Sequence, residues 1–191
     1  VNYTKGVDVL LDAIALLVGR GVAARLVLVG DAFYRDTRLQ QERLRQHAAA
    51  LDLGEHVVFA GRKTPGDVAT MMGESAVVVL PSRAESFGAV LVEALACGTP
   101  VVATRCGGPE DIVTDEVGKL VPVGDAGALA DALADVLSHP DAYDAERLRS
   151  YVLARFSWSG IVDRWLGIYR RILDRGDGDA RPVPAAHAAS S

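Results

Sequence analysis

Apolar positions along the chain alternate between two spacings. In "VDVLLDAIALLV" (7–18) they recur at helical intervals, and "RLVLVG" (25–30) then runs apolar without a break, as a buried strand does. The alternation repeats. "DTRLQQERLRQHAAAL" (36–51) reads as a charged amphipathic helix, "HVVFAG" (56–61) as a strand, "TPGDVATMMG" (64–73) as a short helix with Pro65 in its first turn, and "AVVVLPS" (76–82) as a strand. A helix follows in "ESFGAVLVEALACG" (85–98), then strand "PVVAT" (100–104), a short helix from Gly108, strand "GKLVP" (118–122), and helix "DAGALADALADVL" (125–137) capped by Asp125. Two further helices, around "DAERLRSYVLARF" (144–156) and "SGIVDRWLGIYRRIL" (159–173), close the pattern.

Strands that are apolar on both faces and separated by helices predict a parallel sheet with helices on both sides. The fold class is therefore α/β, a doubly wound, Rossmann-like layer. Ligands of such sheets sit outside the carboxyl ends of the strands, which here are the loops beginning at Gly30, Gly61, Pro81, Thr104 and Pro122. One domain is expected over residues 1–174. The remainder, 175–191 ("RGDGDARPVPAAHAASS"), lacks periodicity and reads as a disordered tail.

Composition narrows the partners. Half of the residues are hydrophobic, yet no apolar run reaches the ~18 residues of a membrane span. The start "VNYTKGVDVLL" has neither the charged opening nor the cleavage site of a secretory signal, and only Cys97 and Cys106 are available to pair, so a cytoplasmic location is expected. Peripheral attachment to the inner membrane is kept open for a longer, complete enzyme. A net charge of −5 argues against a broad nucleic-acid surface. His47, His56, His139 and His187 show no paired ligand spacing, so no structural metal is expected.

The stretch 85–104 carries the strongest chemical signal. Glu93 lies inside an apolar helical run, where a carboxylate buried without partners costs on the order of several kcal/mol, so it must meet either water or a ligand, and a helix so apolar on both sides leaves it little water. Gly88 allows close approach to the backbone and Ser86 is placed to cap the helix, leaving the amides near Phe87, Gly88 and Ala89 to face an anion at the positive end of the helix dipole. Glu85 precedes this point and Glu93 follows it, with seven residues between them. Carboxylates accept hydrogen bonds from paired sugar hydroxyls, so the two suit a sugar and a ribose flanking a phosphate. Plainer readings stand beside these: Glu85 as a loop carboxylate, Lys5 as a solvated charge, and Gly107 and Gly108, which also offer a ligand an approach to the backbone, as a tight turn. Cys97 reads as a packed residue, and Cys106 is not read as a nucleophile.

"ESFGAVLVE" followed by "ALACGTPVVAT" resembles the E-x7-E signature of retaining glycosyltransferases with the GT-B fold, the family 4 type. "KGVDVLLDAIALL", "LVLVGD", "VVFAGR", "GGPEDIV" and "GKLVPVGDAGALADALADVL" occur in the order expected for the carboxyl-terminal, donor-binding half. The resemblance implies transfer of a sugar from a nucleoside-diphosphate sugar to an acceptor, with retained anomeric configuration, no divalent metal and no other cofactor. It also implies roles for individual residues. Glu85 contacts the donor sugar near the reaction centre, Lys5 neutralises the diphosphate, and Glu93 holds the ribose. Ser86 and the Phe87, Gly88 and Ala89 amides support the phosphates, Arg62 and Lys63 border the base, and Gly30 completes the nucleotide-sugar set.

Parts of the family pattern do not occur in the sequence: the amino-terminal acceptor domain, the first strand of the donor half, and an Arg a few residues ahead of "KG". The first strand is central in the usual order, so a gap in the sheet is expected. A strand from another polypeptide or another copy of the chain would fill it, or the sheet would rearrange around it. The helix after "FSW" offers Trp158, Trp165, Ile168 and Tyr169 as an apolar face for that missing part. An alternative function is a non-catalytic nucleotide-binding module or subunit. A phosphorylase or a sugar-nucleotide epimerase is a third possibility, the former needing a pyridoxal-type lysine that nothing marks.

Overall fold

A computed structural model describes residues 3–30 and 37–176. The chain divides into two compact units, Val1–Val152 and Leu153–Ser191. From residue 177 onward, the segment read as a tail lies outside the described residues.

The first unit opens with a 3-10 turn, Tyr3–Lys5, that the sequence pattern does not announce. It continues with α1 (Val7–Gly19), β1 (Leu26–Val29), α2 (Thr37–Ala50), β2 (Val57–Gly61), α3 (Pro65–Gly73), β3 (Val78–Leu80) and α4 (Ala89–Ala96). Then come β4 (Val101–Thr104), α5 (Pro109–Ile112), β5 (Gly118–Val121), α6 (Ala126–Ser138) and the greater part of α7 (Ala145–Phe156), whose last four residues belong to the second unit. Capping chemistry sets several starts. The Thr64 hydroxyl accepts from the Asp67 amide while the Asp67 carboxylate accepts from the Thr64 amide, with Pro65 as the first helical residue of α3. Asp125 caps α6 as expected, its Oδ1 accepting from the Ala128 amide at 2.9 Å.

Every strand pair is parallel, in the order β1-β2 and β3-β4-β5. Among the described residues these are two sheets, and β1, β2, β3 and β5 each keep one edge without a ladder partner. Burial follows the layering. All four residues of β4 are buried, and α1 packs against α6 around Leu11, Leu17, Leu129 and Leu133. The expectation of burial on both faces fails for β1. Leu26 and Leu28 join the core, while Val27 and Val29 on the other face are each 40% exposed. In β2 the Phe59 ring carries the Arg45 guanidinium 4.4 Å from its centroid.

The second unit is dominated by α8 (Trp158–Gly176). Trp158, Val162, Trp165, Tyr169 and Ile172 recur at helical spacing and are exposed, with the Trp165 and Tyr169 rings 5.9 Å apart. Ile168 is only half-exposed. No helix among the described residues is long and apolar enough to cross a membrane.

Candidate functional site

The carboxyl ends of β3 and β4 and the start of α1 meet at one place. Lys5 ends the 3-10 turn, and its Nζ lies 2.6 Å from Glu85 Oε2 in the β3–α4 loop. The turn is held there by its neighbours. Gly6 takes a left-handed conformation (φ 60°) as the residue before α1, and a Cβ at that position would stand 1.9 Å from the Pro81 carbonyl oxygen. No other residue type fits such an approach without moving the backbone. The Arg83 amide donates to the Thr4 carbonyl at 2.7 Å, and its guanidinium donates to Asp8 Oδ1 and Oδ2 at 2.9 and 2.6 Å. The hydrogen bond from Arg83 holds the Asp8 carboxyl below the ordinary carboxylate range.

The Glu85 backbone is pinned from the opposite side. Its amide donates to the Cys106 carbonyl at 3.3 Å and its carbonyl accepts from the Gly108 amide at 2.8 Å, a parallel bridge to the loop after β4. Gly107 and Gly108, read as a turn or a ligand approach, serve a third purpose. A Cβ on Gly108 would come within 2.3 Å of the Phe87 Cα, so the two loops are packed backbone to backbone. Beneath them the buried Thr104 hydroxyl donates to the Ser82 carbonyl, tying β4 to the end of β3.

Two expectations about α4 need correction. Ser86 does not cap it: the residue before the helix is Gly88 in a left-handed conformation, with no side-chain cap. The helix starts at Ala89, so its first-turn amides have no carbonyl within the helix to receive them. Glu93, expected to be short of water, is exposed. Leu91, Ala94 and Leu95 take the buried side, and Ala89, Glu93 and Ala96 share the open one at intervals of four and three. Glu93 therefore stands one helical turn beyond Ala89, roughly 6 Å along the axis, facing outward.

Gly30 follows β1 and its amide donates to the Gly61 carbonyl at 2.9 Å, which brings the loops after β1 and β2 together. Arg62 and Lys63, next along, are exposed. Phe87 is 45% exposed at the head of α4. The histidines have structural partners: His47 pairs with Asp12 at 2.7 Å, His56 with the Ala24 carbonyl at 3.0 Å, and His139 with the Asp135 carbonyl at 2.9 Å, while His187 lies outside the described residues. No cluster of three or more metal-ligating side chains occurs among the described residues, and both cysteines are free thiols. Sequence reasoning did not find Gly6, Asp8 and Arg83. The "KG" dipeptide was the one available signal, since Asp8 and Arg83 are separated by 75 positions.

Parallel strands flanked by helices, with the candidate residues gathered at strand ends, form an α/β layer that comparison with known proteins identifies as the carboxyl-terminal half of a GT-B glycosyltransferase fold. The chain resembles sucrose-phosphate synthase (tll1590) from Thermosynechococcus elongatus with a TM-score of 0.77 and 32% identity, over 91% of this chain and 44% of that one. Anabaena Alr3699/HepE, solved in complex with UDP and glucose, matches with a TM-score of 0.73 and 28% identity over 91% of this chain and 45% of that one. The family model for glycosyl transferases group 1 matches residues 1–152, and the chain belongs to that family. A D-inositol 3-phosphate glycosyltransferase from Saccharomonospora viridis is 40% identical over 185 residues, which is 94% of this chain and 43% of that protein. The chain thus spans less than half the length of this relative.

Proposed function

We propose that the chain is the donor-binding half of a retaining glycosyltransferase that moves a sugar from a nucleoside-diphosphate sugar to an acceptor. The observation that carries this reading is the meeting of Lys5 and Glu85, 2.6 Å apart, at the end of β3 where the loop leads into α4. A diphosphate there would lie between the Lys5 ammonium and the first-turn amides of α4, supported by Ser86, Phe87, Gly88 and Ala89. Glu93, on the open face of the same helix, would accept from the ribose hydroxyls, and Glu85 would face the donor sugar. Arg62 and Lys63, with Gly30, would border the base.

Charge builds on the diphosphate as its bond to the sugar breaks. Lys5 and the helix amides then interact more strongly with the transition state than with the bound donor, which is how they would accelerate the reaction. Glu85 must give up Lys5 as the diphosphate arrives. The pair is suited to such an exchange because its Lys5 side is 48% exposed, although Glu85 is 16% exposed, and ion pairs open to solvent are worth about 0–1 kcal/mol. Retention of configuration and independence from a divalent metal belong to this reading through the family resemblance, and a cytoplasmic location through the cysteine usage and the opening of the sequence.

The acceptor side would come from a further domain of the whole protein. A strand from another polypeptide or another copy would complete one continuous sheet by pairing with open strand edges, of which β1 and β3 each have one. Titration calorimetry with UDP, GDP, ADP and their sugar conjugates tests the donor reading. Binding of one nucleoside diphosphate, and a sugar-dependent gain that Glu85→Ala removes, are expected. Absence of binding by all three diphosphates would overturn it.

A further inference from the structure

A lysine at the edge of a crevice does not hold its own place. Its side chain has many rotamers, and an exposed single ion pair does little to restrict them. The backbone on either side of Lys5 is, by contrast, fixed from the β3–α4 loop. The Arg83 amide donates to the Thr4 carbonyl at 2.7 Å on one side, and Gly6 lies against the Pro81 carbonyl on the other. The Arg83 guanidinium then grips both carboxylate oxygens of Asp8, at 2.9 and 2.6 Å. The same two segments are therefore joined twice by side chains, Lys5 to Glu85 and Asp8 to Arg83. A two-pronged Arg–carboxylate contact fixes both distance and plane, which the point charge of an ammonium cannot do.

Charge gives the fork a second consequence. Asp8 is the second residue of α1, three positions from Lys5, and without a partner its carboxylate would compete for the Lys5 ammonium and repel an arriving diphosphate. Arg83, whose side chain is 21% exposed, neutralises it. The depressed Asp8 carboxyl, with the hydrogen bond from Arg83 as its first cause, agrees with that pairing.

We propose that the Asp8–Arg83 fork is the positioning element of the diphosphate site, acting through Lys5: it sets the ammonium in front of α4 and withdraws the Asp8 carboxylate from competition for it. This rests on the reading of Lys5 as a diphosphate ligand. Both residues of the fork are positioning residues.

A double-mutant cycle on the 191-residue chain tests it by calorimetry, with UDP as probe, UMP as the control lacking the second phosphate, and GDP and ADP run in parallel. Lys5→Ala alone should weaken diphosphate binding about tenfold or more, the range for a hydrogen bond to a charged group. Arg83→Lys keeps the charge but loses the fork, and should itself weaken UDP about tenfold with UMP changed less than about threefold. On that background, Lys5→Ala should cost less than about threefold more. The near-isosteric Asp8→Asn, which removes the fork and the competing carboxylate together, tests the positioning part by itself should Arg83→Lys lower the melting temperature sharply. A full loss from Lys5→Ala repeated on both backgrounds would overturn the positioning role and leave the site reading standing. Unchanged UDP, GDP and ADP affinities for Lys5→Ala in the otherwise native chain would overturn the site reading and the fork's role with it.

Discussion

Lys5 and Glu85, 80 positions apart in sequence, stand 2.6 Å from each other between the start of α1 and the approach to α4. Neither residue can carry out its proposed role while fully engaged with the other. The ammonium that would receive a diphosphate is occupied by the carboxylate that would face the sugar. Ligand binding should therefore be a competition that substitution can bias.

Glu85→Gln removes that competitor with little change in shape. UDP affinity should rise, by up to about fivefold if the exposed pair is worth up to about 1 kcal/mol. The added affinity that a sugar conjugate has over its diphosphate should fall in the same variant. Calorimetry with matched pairs, UDP against UDP-glucose, reads both changes, and a fall in both affinities would refute the competition.

Gly6→Ala tests the packing under Lys5. An Ala must hold φ near 60° and place its Cβ 1.9 Å from the Pro81 oxygen, so the start of α1 has to move. A destabilisation of about 3 kcal/mol, or roughly 6–12 °C in melting temperature for a chain of this size, is expected. Differential scanning calorimetry measures it.

Acid stability should depend on Asp8. Its carboxyl is depressed in the folded state by the hydrogen bond from Arg83. The resulting stabilisation is complete above the unfolded-state value of about 3.9 and is lost as pH falls through the lower folded value. Asp8→Asn should therefore be less stable than the native chain at pH 7, with the difference shrinking below about pH 4. Asp67, depressed by its hydrogen bonds to Thr64, contributes with the same sign, so Asp67→Asn is the parallel control. Urea unfolding at several pH values separates the two.

Leu91 and Glu93 are two positions apart on α4 and should behave in opposite ways. Leu91 is fully buried, and Leu91→Ala should cost about 2–5 kcal/mol of stability. Glu93 is exposed, and Glu93→Ala should leave stability within about 0.5 kcal/mol. Chemical denaturation of the two variants side by side gives the contrast.

Much of the fold is legible in the sequence because short apolar runs bounded by Gly or Pro specify buried parallel strands, as "PVVAT" does for β4. Asp125 and Pro65 likewise announce helix starts by local chemistry. The exposure of Glu93 is not legible because α4 has only eight residues: with Val90 and Val92 also apolar, the run looks uniformly buried, and only the packing of Leu91, Ala94 and Leu95 shows which side is dry. The exposure of Val27 and Val29 was not legible either, since a strand covered on one face has the same composition as one covered on both when its outer residues are valines. Asp8 and Arg83 carry no local signal, because their pairing exists only once β3 lies beside the start of α1.

The central claim is that Glu93, together with the head of α4, holds a nucleoside diphosphate. Calorimetric titration of Glu93→Ala against the native chain with UDP, GDP and ADP tests it most directly. The diphosphate that binds should lose about ten- to hundredfold in affinity, the value of hydrogen bonds to a charged group, while the melting temperature stays within about 2 °C. An unchanged dissociation constant in a stably folded variant would contradict it.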